Sequence, residues 1–275
     1  MDRELQALSR FVSGHPRLVV LTGAGVSTGS GIPDYRDRLG RWKRPAPVQY
    51  GDFLASQTAR QRYWARSLVG WPWFESAAPN ASHRALAALE RAGQIQLVIT
   101  QNVDRLHQHA GADRVIDLHG RLDRLVCLGC GAQTPRAPLQ RRLAEENPRF
   151  AELAAEMAPD GDADLGDLDV SQFSVPACDA CGGLLKPDVV FFGENVPSER
   201  VAAGMARLLA GDGLLVCGTS LMVYSGYRFC RAAAQAGLPI AAINLGSTRA
   251  DALLDFKVEA ACQHVLPALV DVLGY

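Results

Sequence analysis

No stretch of this 275-residue chain approaches the roughly 18 consecutive apolar residues of a membrane-spanning helix. A basic excess is missing too. Lys plus Arg number 28 against 29 Asp plus Glu, and the resulting net charge of -1 with a pI near 6.6 lacks the electrostatic footprint of a dedicated nucleic-acid binder. No internal repeat or low-complexity tract is evident, and 48% hydrophobic with 21% charged residues is ordinary globular usage, which sets disordered classes aside. The first residues, MDRELQALSRFVSGHPRLVVLTGAG, reach their first apolar run only at Leu18–Leu21. That run is too short for a secretory signal, and the mixed charges are unlike an organelle presequence, so a cytoplasmic location is expected.

What is present is an alternation of short apolar runs with amphipathic ones. Strands are expected at Leu18–Leu21, Ile95–Thr100, Val115–Leu118, Val189–Phe192, Leu214–Cys217 and Ile240–Leu245. Helices are expected over residues 4–12, Ser82–Ala92, Ser198–Ala210 and Gly226–Ala236. This pattern predicts an α/β fold, a doubly wound, Rossmann-like parallel sheet buried on both faces, with a ligand crevice at the strand carboxyl ends. Two stretches interrupt it: residues 37–79, rich in tryptophan, and residues 121–185, which hold two Cys-x-x-Cys pairs. The expected organisation is therefore a nucleotide-binding domain from residues 1–120 and 186–275, with a helical insertion near 37–79, and a small metal-binding module at 121–185.

Seven cysteines is an odd count, and four of them form the pairs Cys127/Cys130 and Cys178/Cys181. In a reducing compartment this spacing favours a structural tetrahedral zinc site with no open position, and redox pairs are the alternative. Cys217 and Cys230 fall in apolar segments as ordinary core thiols. Between the pairs, a helix is expected near Pro138–Met157, followed by the acidic run PDGDADLGDLDV. Asp160, Asp162 and Asp164 match the first ligand positions of a calcium loop. Leu165 replaces its required glycine and Ser171 its closing glutamate, so a solvated loop is the better reading.

GAGVSTGSGIPDYR at 23–36 follows the first strand. In such a glycine turn, the backbone N–H groups of Gly23 and Gly25 are expected to approach a phosphate. Thr28, where a glycine is wanted, and the segment Lys43–Pro47, where an acidic residue is wanted, fail the dehydrogenase fingerprint. Taken with TQNVDRLHQHAG at 100, LHG at 118, the two cysteine pairs, LKPDVVFFGE at 185, GTSLMVYSG at 218 and INLG at 243, the sequence resembles the sirtuin family of NAD-dependent protein deacylases. The YWAR, GWPWF and long acidic segments look most like its class II branch. Gly29 departs from the glutamate usual there.

The resemblance implies an enzyme that moves an acyl group from lysine to the ADP-ribose of NAD, releasing nicotinamide, with one structural zinc and acyl-lysine proteins as partners. Protein mono-ADP-ribosyltransfer, or a non-catalytic NAD-responsive module, are the alternatives. His119, at a strand carboxyl end and of a side-chain type that titrates near neutrality, is the expected base, with Asn102 beside it in catalysis. His107 and His109 are expected in surface or capping roles. NAD would be held by Gly23, Ala24, Gly25, Ser27, Ile32, Pro33, Asp34, Tyr35, Arg36, Gln101, Asn102, Val103 and Asp104 at the nicotinamide riboside and phosphates. Gly218, Thr219, Ser220, Asn244, Leu245, Gly246 and Cys262 would serve the adenosine half. Val190, Phe192, Gly193 and Glu194, with Leu221, Met222 and Val223, would clamp an extended acyl-lysine peptide. Tyr63 and Arg66, three apart on a helix, match a pair that reads acyl chains ending in a carboxylate. No nucleic-acid or membrane partner is implied, and a monomer is compatible with the sequence.

Overall fold

A computed structural model describes residues 2–43, 47–155 and 161–275. In chain order the first elements are α1 (Asp2–Gly14), β1 (Leu18–Thr22), α2 (Tyr50–Ala55), α3 (Gln57–Ser76), α4 (Ala81–Arg91), β2 (Ile95–Thr100), α5 (Leu106–His109) and β3 (Val115–Asp117). Then come β4 (Gly120–Cys127), β5 (Gln133–Pro135), α6 (Arg136–Glu146), α7 (Pro148–Ala151) and β6 (Leu185–Val189). The chain closes with α8 (Ser198–Leu209), β7 (Gly213–Cys217), α9 (Tyr224–Gln235), β8 (Ile240–Ile243), β9 (Phe256–Val258) and α10 (Cys262–Leu273). It divides into two compact units, residues 1–45, 78–118 and 196–275 in one and 46–77 and 119–195 in the other.

The larger unit is a six-stranded parallel sheet in the order β3-β2-β1-β7-β8-β9. Alternation along β1 explains its double burial. Leu18 and Val20 pack with Leu8, Leu86, Leu89 and Leu266 of α1, α4 and α10, while Val19 and Leu21 pack with Leu208 and Phe229 of α8 and α9. The strand order reverses between β1 and β7, so the turns leaving these strands flank the topological switch point where doubly wound folds bind ligands. Helix α4 begins at Ala81 because Asn80 caps it: its side chain accepts from Ser82 N–H (2.7 Å), and the His83 ring accepts from Asn80 N–H.

The smaller unit joins α2, α3, α6 and α7 to a three-stranded antiparallel sheet, β5-β4-β6. Its core is aromatic, with Phe53, Tyr63, Trp64, Phe173 and Phe191 packed on Leu125, Leu139 and Leu143.

Several expectations are corrected. The strand expected at Val189–Phe192 is Leu185–Val189 and pairs antiparallel with β4 outside the parallel sheet; Phe191 instead enters the aromatic core. The helix expected over Pro138–Met157 is two helices broken at Asn147, because Pro148 disfavours helical geometry in the residue before it and Asn147 sits at φ -134°, ψ 57°. The end of that expected helix, Met157, lies outside the described residues. So do Pro159 and Asp160 of the acidic run. The remainder is not simply solvated: Gly161, Asp162 and Ala163 are buried, while Asp164 and Asp167–Asp169 are exposed. Docking is possible because Gly70 lacks a side chain; a Cβ there would lie 2.3 Å from the Gly161 carbonyl. Ala163 N–H donates to the Arg66 carbonyl, and Arg66 Nε donates back to the Ala163 carbonyl, each at 2.9 Å.

Candidate functional site

The turns after β1 and β7 are packed back to back, and glycine makes that possible. A Cβ on Gly23 would stand 2.6 Å from Thr219 Cβ, and one on Gly25 would stand 2.9 Å from Gly218 Cα. Gly23 N–H donates to the Cys217 carbonyl (3.1 Å) and Gly25 N–H to the Gly218 carbonyl (2.8 Å). The expectation that these two amides are free for a phosphate is thereby corrected: they join the two turns. Ala24 follows, half-buried, in a short helical turn over residues 24–26 that Ser27 closes.

Behind the turn lies a polar network centred on Ser27, which is fully buried. Asn102 Nδ2 donates to the Gly23 carbonyl (3.1 Å) and to Ser27 Oγ (3.0 Å); Ser27 Oγ in turn donates to Asp104 Oδ2 (2.6 Å). Leu106 N–H holds the other Asp104 oxygen at 2.9 Å. Burial raises the Asp104 pKa, with the Ser27 and Leu106 bonds opposing it, so a hydrogen bond to a ligand amide would stabilise the ionised form. Gln101 Nε2 donates to the Thr22 carbonyl and to Thr219 Oγ1, and Thr219 Oγ1 also accepts from Leu221 N–H. That last bond pins Leu221 at φ 57°, a strained geometry for a bulky residue.

His107 is not a surface residue: it is 1% exposed, and its Nε2 lies 3.0 Å from Thr22 Oγ1. His109 is exposed, as expected. The His83 ring stands 4.9 Å from that of His107, and because its Nδ1 accepts from Asn80 N–H, its proton sits on Nε2, 3.4 Å from Ser27 Oγ. Burial pushes the His83 pKa down to about 2, helped by His107 and Arg84, and that of His107 down to about 4. Both rings are neutral when folded and protonate readily when unfolded. Stability is therefore complete above the unfolded value near 6.5 and is lost as pH falls from there, toward 4 for His107 and toward 2 for His83, by about 2 kcal/mol per histidine at pH 5. Urea midpoints measured from pH 7 to 5 are expected to show this slope, flattened in His107→Gln; a flat native profile would contradict it.

Across the same unit, Ile32 is buried and Pro33, Asp34, Tyr35 and Arg36 are half-buried. Arg36 donates to the Gly40 carbonyl (2.8 Å) and stacks 4.0 Å over Trp42, while Asp34 pairs with Lys43. Val103 and Ser220 are also half-buried. Asn244 Nδ2 braces the Leu245 and Gly246 carbonyls, Gly246 (φ 81°) lies against the Arg38 backbone, and Cys262 Sγ approaches the Ile243 carbonyl at 3.6 Å. Met222 and Val223 are exposed to differing degrees, Val223 at 37%. A Cβ on Gly29 would meet the far end of the Gln263 side chain, with Oε1 at 2.2 Å, a contact that a shift of that side chain relieves.

In the smaller unit, His119 is half-buried just before β4, and its carbonyl accepts from Val190 N–H at 2.8 Å. The segment that follows is fixed by Glu194, whose Oε2 accepts from Phe191 N–H (2.8 Å) and from Lys186 (2.9 Å). Phe192 meets α2 through Tyr50 N–H, and Gly193 supplies the turn at φ 81°. Tyr63 is buried against Phe53, Trp64 and Phe191, and Arg66 is half-buried.

The four cysteines Cys127, Cys130, Cys178 and Cys181 gather with their sulfurs within 4.8 Å of one another. The Cys127–Cys181 and Cys130–Cys178 separations are 3.4 and 3.9 Å, close to the roughly 3.8 Å edge of a tetrahedron with 2.3 Å zinc–sulfur bonds. Backbone N–H groups of Cys130 and Gly129 lower the pKa of the Cys127 thiol, the direction a metal ligand needs, while the neighbouring thiols raise that of Cys181. The donor set fits one structural zinc.

A profile of the Sir2 family matches residues 23–225. The chain belongs to the Sir2 family. Among Sir2-type relatives, the NAD-dependent protein deacetylase of Xanthomonas campestris pv. campestris (strain 8004) is 62% identical over 263 residues, covering 96% of this chain and 90% of the relative. That of Bordetella bronchiseptica is 59% identical, covering 97% of each chain. The NAD-dependent protein lipoamidase sirtuin-4, mitochondrial, of Bos taurus is 48% identical over 97% of this chain and 85% of its own, in keeping with the class II resemblance. A solved structure of Sir2 bound to acetylated peptide superposes with a TM-score of 0.77 at 28% identity, covering 98% of each chain.

Sequence reasoning missed the part played by three side chains of these two units, two of them inside the Sir2 motifs. His83 approaches Ser27 Oγ, His107 holds Thr22 and packs on His83, and Lys186 pairs with Glu194. Only His83 carried a usable signal, as the third residue after a capping asparagine.

Proposed function

We propose that this Sir2-family protein is an NAD-dependent protein lysine deacylase that removes acetyl groups and uses Ser27, Asn102 and Asp104 to hold the nicotinamide riboside. NAD, when bound, supplies the ribose carbon that takes the acyl oxygen as nicotinamide departs. Asn102, oriented by the Gly23 carbonyl and Ser27, is suited to order the ribose, and the buried Asp104 to bind the carboxamide. His119 removes the ribose hydroxyl proton. Ala24, Arg36 and the 32–35 segment serve the phosphates; Thr219, Ser220, Asn244 and the Cys262 backbone serve the adenosine. Val190–Glu194 and Leu221–Val223 receive the peptide by strand addition. The hydrogen-bonded Ser27–Asn102–Asp104 hub carries this reading. Nicotinamide release that depends on an acetyl-lysine peptide would support it, and peptide-independent NAD cleavage would count against it. A cytoplasmic setting, which keeps the four thiols reduced, is part of the proposal.

Tyr63 and Arg66 are proposed to face the acyl chain. Arg66 spends Nε on the Ala163 carbonyl, which leaves its terminal nitrogens for a carboxylate. Arg66→Met is expected to depress turnover of succinyl- and glutaryl-lysine selectively, by about 1 to 3 kcal/mol in kcat/KM. An equal loss on acetyl-lysine would show that Arg66 serves only the docked 161–163 loop.

A further inference from the structure

Helix α3 places Trp64, Ser67 and Trp71 on one face, at successive spacings of three and four residues. Arg136, the first residue of α6, lies against that face and is 2% exposed. Its guanidinium carbon is 5.4 Å from the Trp64 ring and 5.1 Å from the Trp71 ring, and its Nη2 is 3.4 Å from Ser67 Oγ. Three donors in this cluster are buried without a partner: the indole N–H of Trp64, that of Trp71, and Arg136 Nη1. Unpaired buried donors are costly. The buried Asp162 shares the Arg136 charge, and its Oδ1 accepts no hydrogen bond, so the cluster is only partly compensated from within.

The number of donors decides what would satisfy them. One water accepts two hydrogen bonds, whereas a carboxylate accepts about four and also neutralises the guanidinium. Stacking on both indoles leaves the guanidinium edge for a planar, forked partner. We propose that Trp64, Trp71 and Arg136 form a carboxylate-binding site in the smaller unit, taking either the acidic end of a lysine-borne acyl chain or a small free dicarboxylate.

Its position suits the first source. Tyr63 is in ring contact with both Trp64 (5.2 Å) and Phe191 (5.1 Å), and Val190, next to Phe191, is hydrogen-bonded to His119. A backbone bond from His119 to Val190, and then ring contacts from Phe191 through Tyr63 to Trp64, link the proposed base to the guanidinium. Burial draws the Arg136 pKa down to about 10, opposed by Tyr63, Asp162 and Glu75, so it remains a cation at neutral pH. Asp162 shares that charge, and binding is accordingly moderate in strength.

The acyl source rests on the deacylase reading, and the free source does not. Free glutarate is therefore titrated by thermal shift against the native protein and Trp71→Phe, which removes the indole N–H with its five-membered ring and keeps an aromatic face. In parallel, kcat/KM is compared on acetyl- and glutaryl-lysine peptides for native, Trp71→Phe and Arg136→Met. Stabilisation by glutarate that weakens about tenfold in Trp71→Phe supports the site. A selective loss of about tenfold on the glutaryl peptide assigns it to the acyl end; glutarate binding without that selectivity assigns it to a free dicarboxylate. If glutarate does not stabilise the native protein and Trp71→Phe affects both peptides equally, the proposal is overturned. Failure of the native protein to turn over acetyl-lysine would defeat the deacylase reading alone, with the glutarate arm still judging the site.

Discussion

His119→Ala is expected to lower deacetylation at least a hundredfold, the typical cost of removing a general base, while the protein stays folded and still binds NAD. The His119 carbonyl accepts from Val190 N–H, a backbone bond that alanine keeps. The residues proposed to hold NAD belong to the other unit and are not altered. Turnover above about a tenth of native, measured at saturating NAD and peptide, would remove His119 from the role of base.

Cys178→Ser acts differently. The smaller unit has one aromatic core and a three-stranded sheet, and its two cysteine knuckles lie at opposite ends of a 47-residue excursion between Cys130 and Cys178. A four-thiolate zinc contributes on the order of 10 kcal/mol to such a module, comparable to the entire stability of an ordinary domain at about 5–15 kcal/mol. Loss of one ligand, or chelation, is therefore expected to open the unit around β4 and β6 and to abolish activity through stability. Metal analysis should find one zinc per native chain and none in Cys178→Ser, with lost protection of the β4–β6 ladder in hydrogen exchange. A native protein without zinc, or a Cys178→Ser variant that melts like native, would contradict the structural role.

The parallel sheet was legible because β1, β2, β7 and β8 are buried on both faces and so read as continuous apolar runs closed by glycine or polar turns. β4 was not. Its sequence, GRLDRLVC, is half-buried and carries three charges, so its pairing depends on β6, some sixty residues later. The apolar string VVFF misleads for the opposite reason: it looks like a strand, but Phe191 is claimed by Phe53 and Tyr63. Local polarity likewise hid the burial of His107 and Arg136, whose partners Thr22, Trp64 and Trp71 are remote in sequence. The docking of Gly161–Ala163 turns on the missing side chain at Gly70, which no charge pattern announces. At the candidate site, the residue types were readable from the Sir2 motifs. The use of the Gly23 and Gly25 amides was not, because it requires knowing that β7 ends beside β1.

The central claim is that this chain transfers the acyl group of acyl-lysine to the ADP-ribose of NAD. It is tested most directly by incubating the purified protein with adenine-labelled NAD and an acetyl-lysine peptide and following every product by mass spectrometry. Equal amounts of free-lysine peptide, nicotinamide and O-acetyl-ADP-ribose, with no label on protein, are predicted. Label accumulating on protein while the peptide keeps its acetyl group would contradict the claim and identify an ADP-ribosyltransferase instead.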